Sequence, residues 1–367
     1  MKIIILCSNY EPGGAQRVAL RLNAALLSRG LDAHCVFMHR KCQDFSQEAP
    51  IMLYNKKVKG IIGFLITLFK TYRFIKTNKP DVVLSFLPVA NILGQLIAFL
   101  CGVKIRVASH RTESSQELSF VQKKLDQLFA EIGIYSWVTA VSKSTKMSFN
   151  YYSKTAFSRI TIVNNGLDYI KPTMSKTDSR ILFDIPRDAF VLGNVGRFVQ
   201  AKNHVFMLEL LKNTNDVVLA LVGKGHLQDS IISKARTLGL LDKIIFIPEI
   251  KTDNIPDFLN SIDVFIMPSL FEGMSNALVE ALHAGLPILA SDVPSQRDVL
   301  FDEKNDYIAG KLLPLDNTAI WIESINQIKN STEYRQELKA LALRRSSVFT
   351  VDNMVDGYLR VFEMKVV

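Results

Sequence analysis

Cysteine is scarce in this chain of 367 residues, and the four that occur show no C-x-x-C spacing. They are Cys7, Cys35, Cys42 and Cys101. In a chain of this length, that pattern excludes a disulfide framework and a cysteine-based zinc site. We therefore expect reduced thiols in a cytoplasmic protein.

Long apolar runs are also missing. The longest, 89–101, is interrupted by Asn91 and Gln95 and falls short of the ~18 apolar residues of a membrane-spanning helix. The apolar run at 3–7 is too short for a secretory signal, and no small-residue cleavage site follows it. We expect a protein that is soluble or bound to the surface of a membrane.

Several catalytic motifs are absent. Neither G-x-G-x-x-G nor the P-loop pattern G-x-x-x-x-G-K-[ST] occurs, which argues against nicotinamide oxidoreductases and P-loop enzymes. No G-x-S-x-G elbow is present, so a hydrolytic triad is not expected. His, Cys and carboxylate residues show no metal-ligand spacing, and we expect a protein that requires no metal or other cofactor.

The composition is that of a globular protein, with 48% apolar and 22% charged residues. The length suits about two domains. The net charge of +9 is unevenly spread, because 1–170 carries +12 and 171–367 carries −3. This asymmetry indicates that the first half faces an anionic partner, either nucleic acid or an anionic membrane.

The segment 56–79 concentrates this positive charge, since seven lysine and arginine residues are interleaved there with aromatic and aliphatic ones. A basic amphipathic helix of this kind is typical of binding to an anionic membrane leaflet. The alternative is a core helix with solvated lysines. Nucleic acid is not expected as the partner, because no recognised nucleic-acid module accompanies the segment.

Short apolar runs alternate with helical patterns along the whole chain. This alternation is typical of α/β folds with doubly wound parallel sheets. A polar stretch breaks the pattern, and we interpret 173–182 as a linker between domains at 1–172 and 183–349. We expect two Rossmann-like domains that face a cleft, with ligands at the carboxyl ends of the strands.

The densest candidate site follows a predicted strand at 264–267 and opens a helix. Glu272 lies in the loop after the strand, Gly273 allows close approach of backbone to a ligand, and Glu280 follows about two helical turns later. Two carboxylates spaced in this way can hold the two ends of an elongated, polyhydroxylated ligand. The amides expected at the helix start, which suit a phosphate, belong to Met274, Ser275 and Asn276.

A second candidate site follows a predicted strand at 190–195. Arg197 and Lys202 can converge there on a diphosphate, Arg197 as a bidentate donor and Lys202 as a point charge. His204 is interpreted as a helix-start residue rather than as an acid or base.

Two further candidates follow predicted strands in the first half. Gly13 and Gly14 come after the first strand, where they form either a plain tight turn or a backbone site for an anion. His110 follows the strand predicted at 104–109, where a structural role and a substrate-binding role are both open.

These segments resemble the retaining glycosyltransferase family 4, whose members have the GT-B fold. The family signature E-x7-E is matched by Glu272 through Glu280 in the form E-G-x-S-N-x-x-x-E-A. Gln16 stands where many members carry Glu. The less specific matches are the donor-phosphate loop at 196–204, the glycine loop at 13–17 and the N-G-x-D pattern at 165–168.

The resemblance implies a donor site for a nucleoside diphosphate sugar in the second domain. Arg197 and Lys202 would neutralise the diphosphate, helped by the amides of 274–276. Glu272 would hold the sugar hydroxyls and Glu280 the ribose. A UDP-sugar is favoured as the donor, with a GDP-sugar as the alternative, and no metal is implied because no D-x-D motif occupies the site.

The resemblance also implies roles for the first domain, 1–172, as the acceptor-binding domain. Gly14 would lie near the transferring centre, and His110 would contact the donor sugar or position the acceptor. A C-terminal helix at 350–367 would cross back to this domain. Transfer would retain the anomeric configuration, with catalysis coming from positioning and from stabilisation of the departing phosphate.

The basic first domain then suggests an acceptor glycan on a polyprenyl diphosphate at the inner face of the plasma membrane. The predicted function is sugar transfer in the assembly of a bacterial surface polysaccharide, by a peripheral cytoplasmic enzyme. The alternatives are a different GT-B sugar-nucleotide enzyme such as an epimerase or phosphorylase, a nicotinamide oxidoreductase, and a non-catalytic sugar-nucleotide or membrane-binding protein.

Overall fold

The computed structural model describes residues 1–42 and 50–364. The chain divides into two compact units, one formed by Met1–Gly166 with Thr350–Val367 and the other by Leu167–Phe349. No helix in the described part of the chain is long and apolar enough to span a bilayer.

The first unit is built on a parallel sheet. Its strands are β1 (Lys2–Tyr10), β2 (Asp32–Arg40), β3 (Ile51–Tyr54), β4 (Val82–Phe86), β5 (Ile105–His110), β6 (Trp137–Ala140) and β7 (Ile160–Ile162). They lie in the order β3-β2-β1-β4-β5-β6-β7. The central strands read as continuous apolar runs because both faces of the sheet are covered by helices.

The helices of this unit lie on both faces of the sheet. They are α1 (Gly14–Ser28), α2 (Gly60–Asn78), α3 (Gln95–Leu100), α4 (Ser114–Glu117), α5 (Phe120–Glu131), α6 (Lys143–Met147) and α7 (Lys154–Ser158), with a π-helical turn, Ala90–Gly94, before α3. Ile3 and Ile5 pack with α1 in one core cluster. Ile4 and Leu6, which point the other way along the same strand, pack with α2 and α3.

The second unit repeats the architecture with a sheet in the order β10-β9-β8-β11-β12-β15 and a small antiparallel pair, β13-β14. Its strands are β8 (Phe190–Val195), β9 (Val217–Val222), β10 (Ile244–Ile247), β11 (Val264–Met267), β12 (Ile288–Ser291), β13 (Phe301–Asp302), β14 (Tyr307–Ile308) and β15 (Lys311–Leu313). The remaining helices are α8 (Lys176–Leu182), α9 (His204–Lys212), α10 (Gln228–Thr237), α11 (Ile255–Ser261), α12 (Asn276–His283), α13 (Pro294–Leu300), α14 (Thr318–Asn330), α15 (Thr332–Ser346) and α16 (Val351–Glu363).

The strand order reverses once in each sheet, between β1 and β4 in the first unit and between β8 and β11 in the second. Loops that leave such neighbouring strands diverge, and the crevice between them is where open α/β sheets bind ligands. The predicted doubly wound α/β class is therefore confirmed, and the two reversals mark one candidate crevice in each unit.

The segment 173–182, interpreted as a linker, has a different role in the structure. It contains α8 and belongs to the second unit, which begins at Leu167 rather than at 183. Arg180 is buried there and donates to Asp263 at 2.9 Å, and the Thr173 amide donates to Asp257. Within 173–182 only Ser179 and Arg180 are buried, and the hydrogen bonds to Asp257 and Asp263 hold this largely exposed, polar segment on the second unit.

The last helix belongs to the first unit. Val355 and Tyr358 of α16 lie in the same core cluster as β1 and α1, and α16 contacts α1. Gly166 permits a close passage of two chain segments, because a Cβ there would lie 2.2 Å from the Thr350 carbonyl oxygen. Residues 365–367 of the predicted crossing-back segment lie outside the described residues.

Candidate functional site

The strand-order reversal of the second sheet brings two predicted site residues into contact. Lys202, in the loop after β8, places its Nζ 2.8 Å from Oε1 of Glu272, in the loop after β11. Their side chains are only 14% and 16% exposed. The two loops are also joined through their backbones, because the Leu270 amide donates to the Ala201 carbonyl at 2.8 Å.

A second group fixes the Glu272 carboxylate. The buried Ser269 hydroxyl donates to Oε1 of Glu272 at 3.0 Å, and the carbonyl of Ser269 accepts a hydrogen bond from the Ser291 hydroxyl at the end of β12. One oxygen of the carboxylate therefore accepts from both a hydroxyl and an ammonium group.

Glycines shape the loop that carries Lys202. A Cβ on Gly196 would lie 3.0 Å from Cε of Lys202, so the lysine stem lies directly over this glycine. Gly223, after β9, has a φ of +141°, and a Cβ there would lie 2.0 Å from the Gly196 carbonyl oxygen. Only glycine at 223 allows the loop after β9 to support the loop after β8.

Arg197 does not join this ion pair. Its side chain is exposed, and within 1–42 and 50–364 it forms no ion pair. The next residue, Phe198, is buried and its amide donates to the Lys224 carbonyl at 3.1 Å. The backbone is thus fixed on both sides of a cationic side chain that extends into solvent.

His204 starts α9, as interpreted from the sequence. Its ring stacks on Phe198, with centroids 4.4 Å apart and planes 11° from parallel. Burial, together with the nearby Lys202 charge, lowers the pKa of His204 to about 4. The ring is therefore neutral at physiological pH and acts as part of the packing under the site.

The helix after Glu272 begins where the spacing predicts it. Ser275 is the N-cap of α12, and its hydroxyl accepts from the Leu278 amide at 3.4 Å. Gly273 and Met274 are buried before it, and Glu280 lies partly exposed two turns along the helix. Phosphate binding by the amides of 274–276 and ribose binding by Glu280 stay predictions.

In the first unit, Gly14 is exposed as the first residue of α1, directly after the loop that leaves β1. Gly13 before it packs tightly, because a Cβ there would lie 2.4 Å from Oε1 of Gln16. The Gln16 amide in turn donates to the Asn9 side chain at 2.9 Å. The position fits the predicted site at the carboxyl end of β1, while its role stays a prediction.

His110 does end β5, but the structure gives it no access to a ligand. Its side chain is fully buried, its Nε2 lies 3.4 Å from Oδ1 of the equally buried Asp126, and its ring packs at 4.1 Å from Phe149. Asp126 also accepts hydrogen bonds from Tyr135 and Tyr152. Burial and the neighbouring carboxylate raise the pKa of both tyrosines well above their usual range.

The predicted contact of His110 with the donor sugar or the acceptor is therefore corrected to a buried structural role. The reason is strand alternation: His110 shares the face of Ala108, which packs beneath α5.

Sequence reasoning missed the support given by Ser269 and by the loop at 223–225. It also missed an ion pair at the carboxyl ends of β9 and β10, where Lys224 Nζ lies 2.8 Å from Oε2 of Glu249. A signal was present in each case, since all of these residues come within three positions of the end of a short apolar run. In the part of the chain that the structure describes, no three His, Cys, Asp or Glu residues are grouped to hold a metal ion.

Two protein-family profiles match the chain. Glycosyltransferase Family 4 matches 12–169, and Glycosyl transferases group 1 matches 175–345. The first falls in the unit that carries Gly14, and the second covers both Lys202 and Glu272. The chain therefore belongs to the glycosyltransferases, with a Family 4 domain in its first half and a group 1 domain in its second half. The resemblance inferred from the E-x7-E signature is confirmed.

Individual relatives agree with the family. A UDP-Gal:alpha-D-GlcNAc-diphosphoundecaprenol alpha-1,3-galactosyltransferase of Escherichia coli is 27% identical over 73% of this chain and 71% of its own length. The EpsF protein of Bacillus subtilis is 30% identical over 54% of this chain, a match that spans about half, 53%, of that relative.

A solved structure shows the same fold. The crystal structure of Anabaena HepE in complex with UDP and glucose superposes with a TM-score of 0.83 over 100% of both chains, at 19% identity. The predicted GT-B class of two Rossmann-like domains is therefore confirmed.

Proposed function

We propose that the protein transfers a sugar, with retention of configuration, from a nucleoside diphosphate sugar to a glycan acceptor linked to a polyprenyl diphosphate. The observation that carries this proposal is the contact of Lys202 with Glu272 where the strand order of the second sheet reverses. A cation and a carboxylate placed together there suit the two halves of such a donor, a charged diphosphate and a hydroxyl-rich sugar.

The leaving group is stabilised by positive charge in this proposal. Lys202 and Arg197 neutralise the diphosphate as the glycosidic bond breaks, and amides at the start of α12 assist them. Glu272 accepts hydrogen bonds from the sugar hydroxyls, held by Ser269, and Glu280 binds the ribose. Gly14 belongs to the transferring centre, where its lack of a side chain allows close approach.

The transition state of the proposed transfer is an oxocarbenium-like sugar beside the departing diphosphate. Interactions that hold the sugar and the diphosphate in place lower the barrier through positioning. Lys202 and Arg197 together supply two positive charges to the diphosphate in this proposal, and we propose that the reaction needs no metal ion. UDP is the proposed carrier, in line with the named donor of the Escherichia coli relative and the UDP bound to Anabaena HepE.

A lipid-linked acceptor is supported by the named substrate of the Escherichia coli relative and by the charge of the first unit. Helix α2 turns Lys70 and Arg73 outward together with Phe69, which is 63% exposed. We propose that α2 binds the anionic inner face of the plasma membrane, where such an acceptor lies. We propose that sugar transfer to a lipid-linked acceptor at the membrane is a step in the assembly of a bacterial surface polysaccharide.

Calorimetric titration with UDP, GDP, ADP and NAD tests the donor site. We expect one nucleoside diphosphate to bind the wild type and Arg197→Ala to weaken it by about tenfold or more, the value of a charge-assisted hydrogen bond. Arg187→Ala serves as the control and leaves the affinity unchanged, because this exposed arginine precedes β8 and so lies at the opposite end of that strand from Arg197. Binding of NAD alone, or equal effects of both variants, would overturn the proposal.

A further inference from the structure

Helix α5 carries an apolar stripe on the side that faces away from the sheet. Val121, Leu125, Leu128 and Ile132 follow one another at helical spacing, and they are 65%, 36%, 46% and 60% exposed. The other side of the helix is buried through Asp126 and Ala130, and Phe129 is buried next to the stripe. A helix that covers a sheet normally turns polar residues to water, so a second apolar side calls for a second contact.

Helix α2 shows the same feature in a stronger form. Its buried residues include Ile75, but the other three, Gly63, Thr67 and Thr71, are small or polar, and the two threonine hydroxyls bond to carbonyls one turn back at 2.8 Å. Several large apolar side chains point outward, with Ile61, Leu65 and Phe69 exposed by 74%, 57% and 63%. Much of the apolar surface of α2 is therefore left uncovered by the sheet.

These two helices belong to one layer. Helix α2 contacts α3, and the π-helical turn before α3 contacts α5. Between them, Phe99 and Leu100 at the end of α3 are 46% and 66% exposed. In the opposite layer, the described helices α1 and α16 expose one large apolar side chain, Leu27. The exposed apolar surface is thus concentrated on one face of the first unit.

The positively charged side chains of this layer favour an anionic partner. Helix α2 contains no acidic residue. Cations stand over exposed rings, with the Arg106 guanidinium 5.2 Å from the Phe99 ring centre and Lys124 Nζ 6.0 Å from that of Phe120. Aromatic rings at the boundary of an apolar surface, with cations beside them, suit the headgroup region of an anionic bilayer.

We propose that α2, α3 and α5 together form a single contact face for an anionic phospholipid bilayer. The apolar stripes enter the boundary between headgroups and acyl chains, and the lysine and arginine residues pair with lipid phosphates. This inference rests on the proposed membrane location of the enzyme, and it extends the contact from α2 to α3 and α5. It assigns α5 a function that its amino-acid composition alone does not reveal.

Co-sedimentation of the full-length protein with phosphatidylglycerol-containing vesicles tests this face. The double variant Val121→Glu/Leu128→Glu alters the α5 stripe and leaves α2 intact. We expect its vesicle partition coefficient to fall about tenfold or more, because two apolar side chains no longer enter the bilayer. The variant Val121→Gln/Leu128→Gln adds no charge, and we expect its partition coefficient to fall as well, but by less. Ala24→Glu/Leu27→Glu, at two exposed positions of α1 in the opposite layer, matches the charge change and keeps wild-type binding.

The test of the membrane face can fail without affecting the proposal for the donor site. Retained nucleotide binding by each variant shows that the donor site is unaffected, and a wild-type circular dichroism spectrum and thermal melt show that the first unit is folded. Wild-type vesicle binding by the α5 double variant would overturn the three-helix face and leave the donor proposal standing. Sedimentation velocity tests whether a second copy of the chain covers this face instead. A wild type that self-associates, together with a monomeric α5 double variant, would make the face a subunit interface and contradict the proposal.

Discussion

Lys202 and Glu272 neutralise each other in the ligand-free protein, with Nζ and Oε1 2.8 Å apart and both side chains largely buried. In the proposed complex these groups have different partners, the lysine a phosphate and the glutamate a sugar hydroxyl. A sugar nucleotide supplies both partners, whereas a nucleoside diphosphate supplies only the first. The free diphosphate therefore competes with Glu272 for Lys202 and binds at a disadvantage, which favours release of the spent carrier.

Glu272→Gln separates binding from transfer. The variant frees Lys202, so we expect UDP to bind about three- to tenfold more tightly, the range of a modest ion pair. Sugar transfer falls sharply, because the amide is a poor substitute for the carboxylate at the sugar hydroxyls. Calorimetry and a transfer assay measure the two effects. Glu209→Gln, a half-exposed glutamate of α9, is the control, and weaker UDP binding by Glu272→Gln would refute the competition.

Gly223→Ala tests how the loop after β8 is supported. Alanine must adopt a φ of +141° and place its Cβ 2.0 Å from the Gly196 carbonyl, so we expect a loss of about 3 kcal/mol or more of unfolding free energy. Gly239→Ala is the matched control, because its φ is +68° and its surroundings are open. It costs about 1 kcal/mol. Equal losses for both variants in urea unfolding would contradict the support role of Gly223.

His204 makes stability depend on pH. The unfolded chain protonates this histidine below about 6.5, whereas the folded protein does so only below about 4. The unfolded state therefore binds more protons in this window, and stability falls as the pH drops from 6.5 toward 4. Between pH 7 and 5.5, His204→Gln should lose about 1 kcal/mol less unfolding free energy than the wild type. A pH slope of His204→Gln equal to that of the wild type would disprove the assignment.

Removal of divalent cations tests the proposed charge balance at the leaving group. If Arg197 and Lys202 supply the positive charge that the diphosphate needs, dialysis against EDTA leaves the transfer rate unchanged. Lost activity that returns on addition of Mg²⁺ or Mn²⁺ would show that a metal shares this role.

Much of the fold could be predicted from the sequence, because strands covered on both faces are continuous apolar runs that local inspection finds. The boundaries of β8 and β11 agree with those predicted. The short edge strands β3 and β15 are only partly buried and lack that signal. The segment interpreted as a linker contains α8, and its polar, largely exposed composition does not reveal that Ser179 and Arg180 hold it on the second unit.

The candidate site was predictable by residue type and not by contact. Lys202 and Glu272 both follow predicted strands, but their ion pair depends on β8 and β11 being neighbours, which is a property of sheet order. His110 shows the converse: its position at a strand end was predicted correctly, and its burial depends on which face of β5 it occupies and on Asp126, which lies on a separate helix. The exposed stripe of α5 likewise requires knowing which side of the helix the sheet covers.

The most direct measurement of the central claim is the anomeric configuration of the product. Wild-type protein is incubated with isotope-labelled UDP-sugars and a polyprenyl-diphosphate-linked sugar, and NMR identifies the new glycosidic bond. We expect a product with the configuration of the donor from the wild type and little or none from Glu272→Gln. An inverted product, or undiminished transfer by Glu272→Gln, would contradict the proposed retaining reaction at the Lys202–Glu272 site.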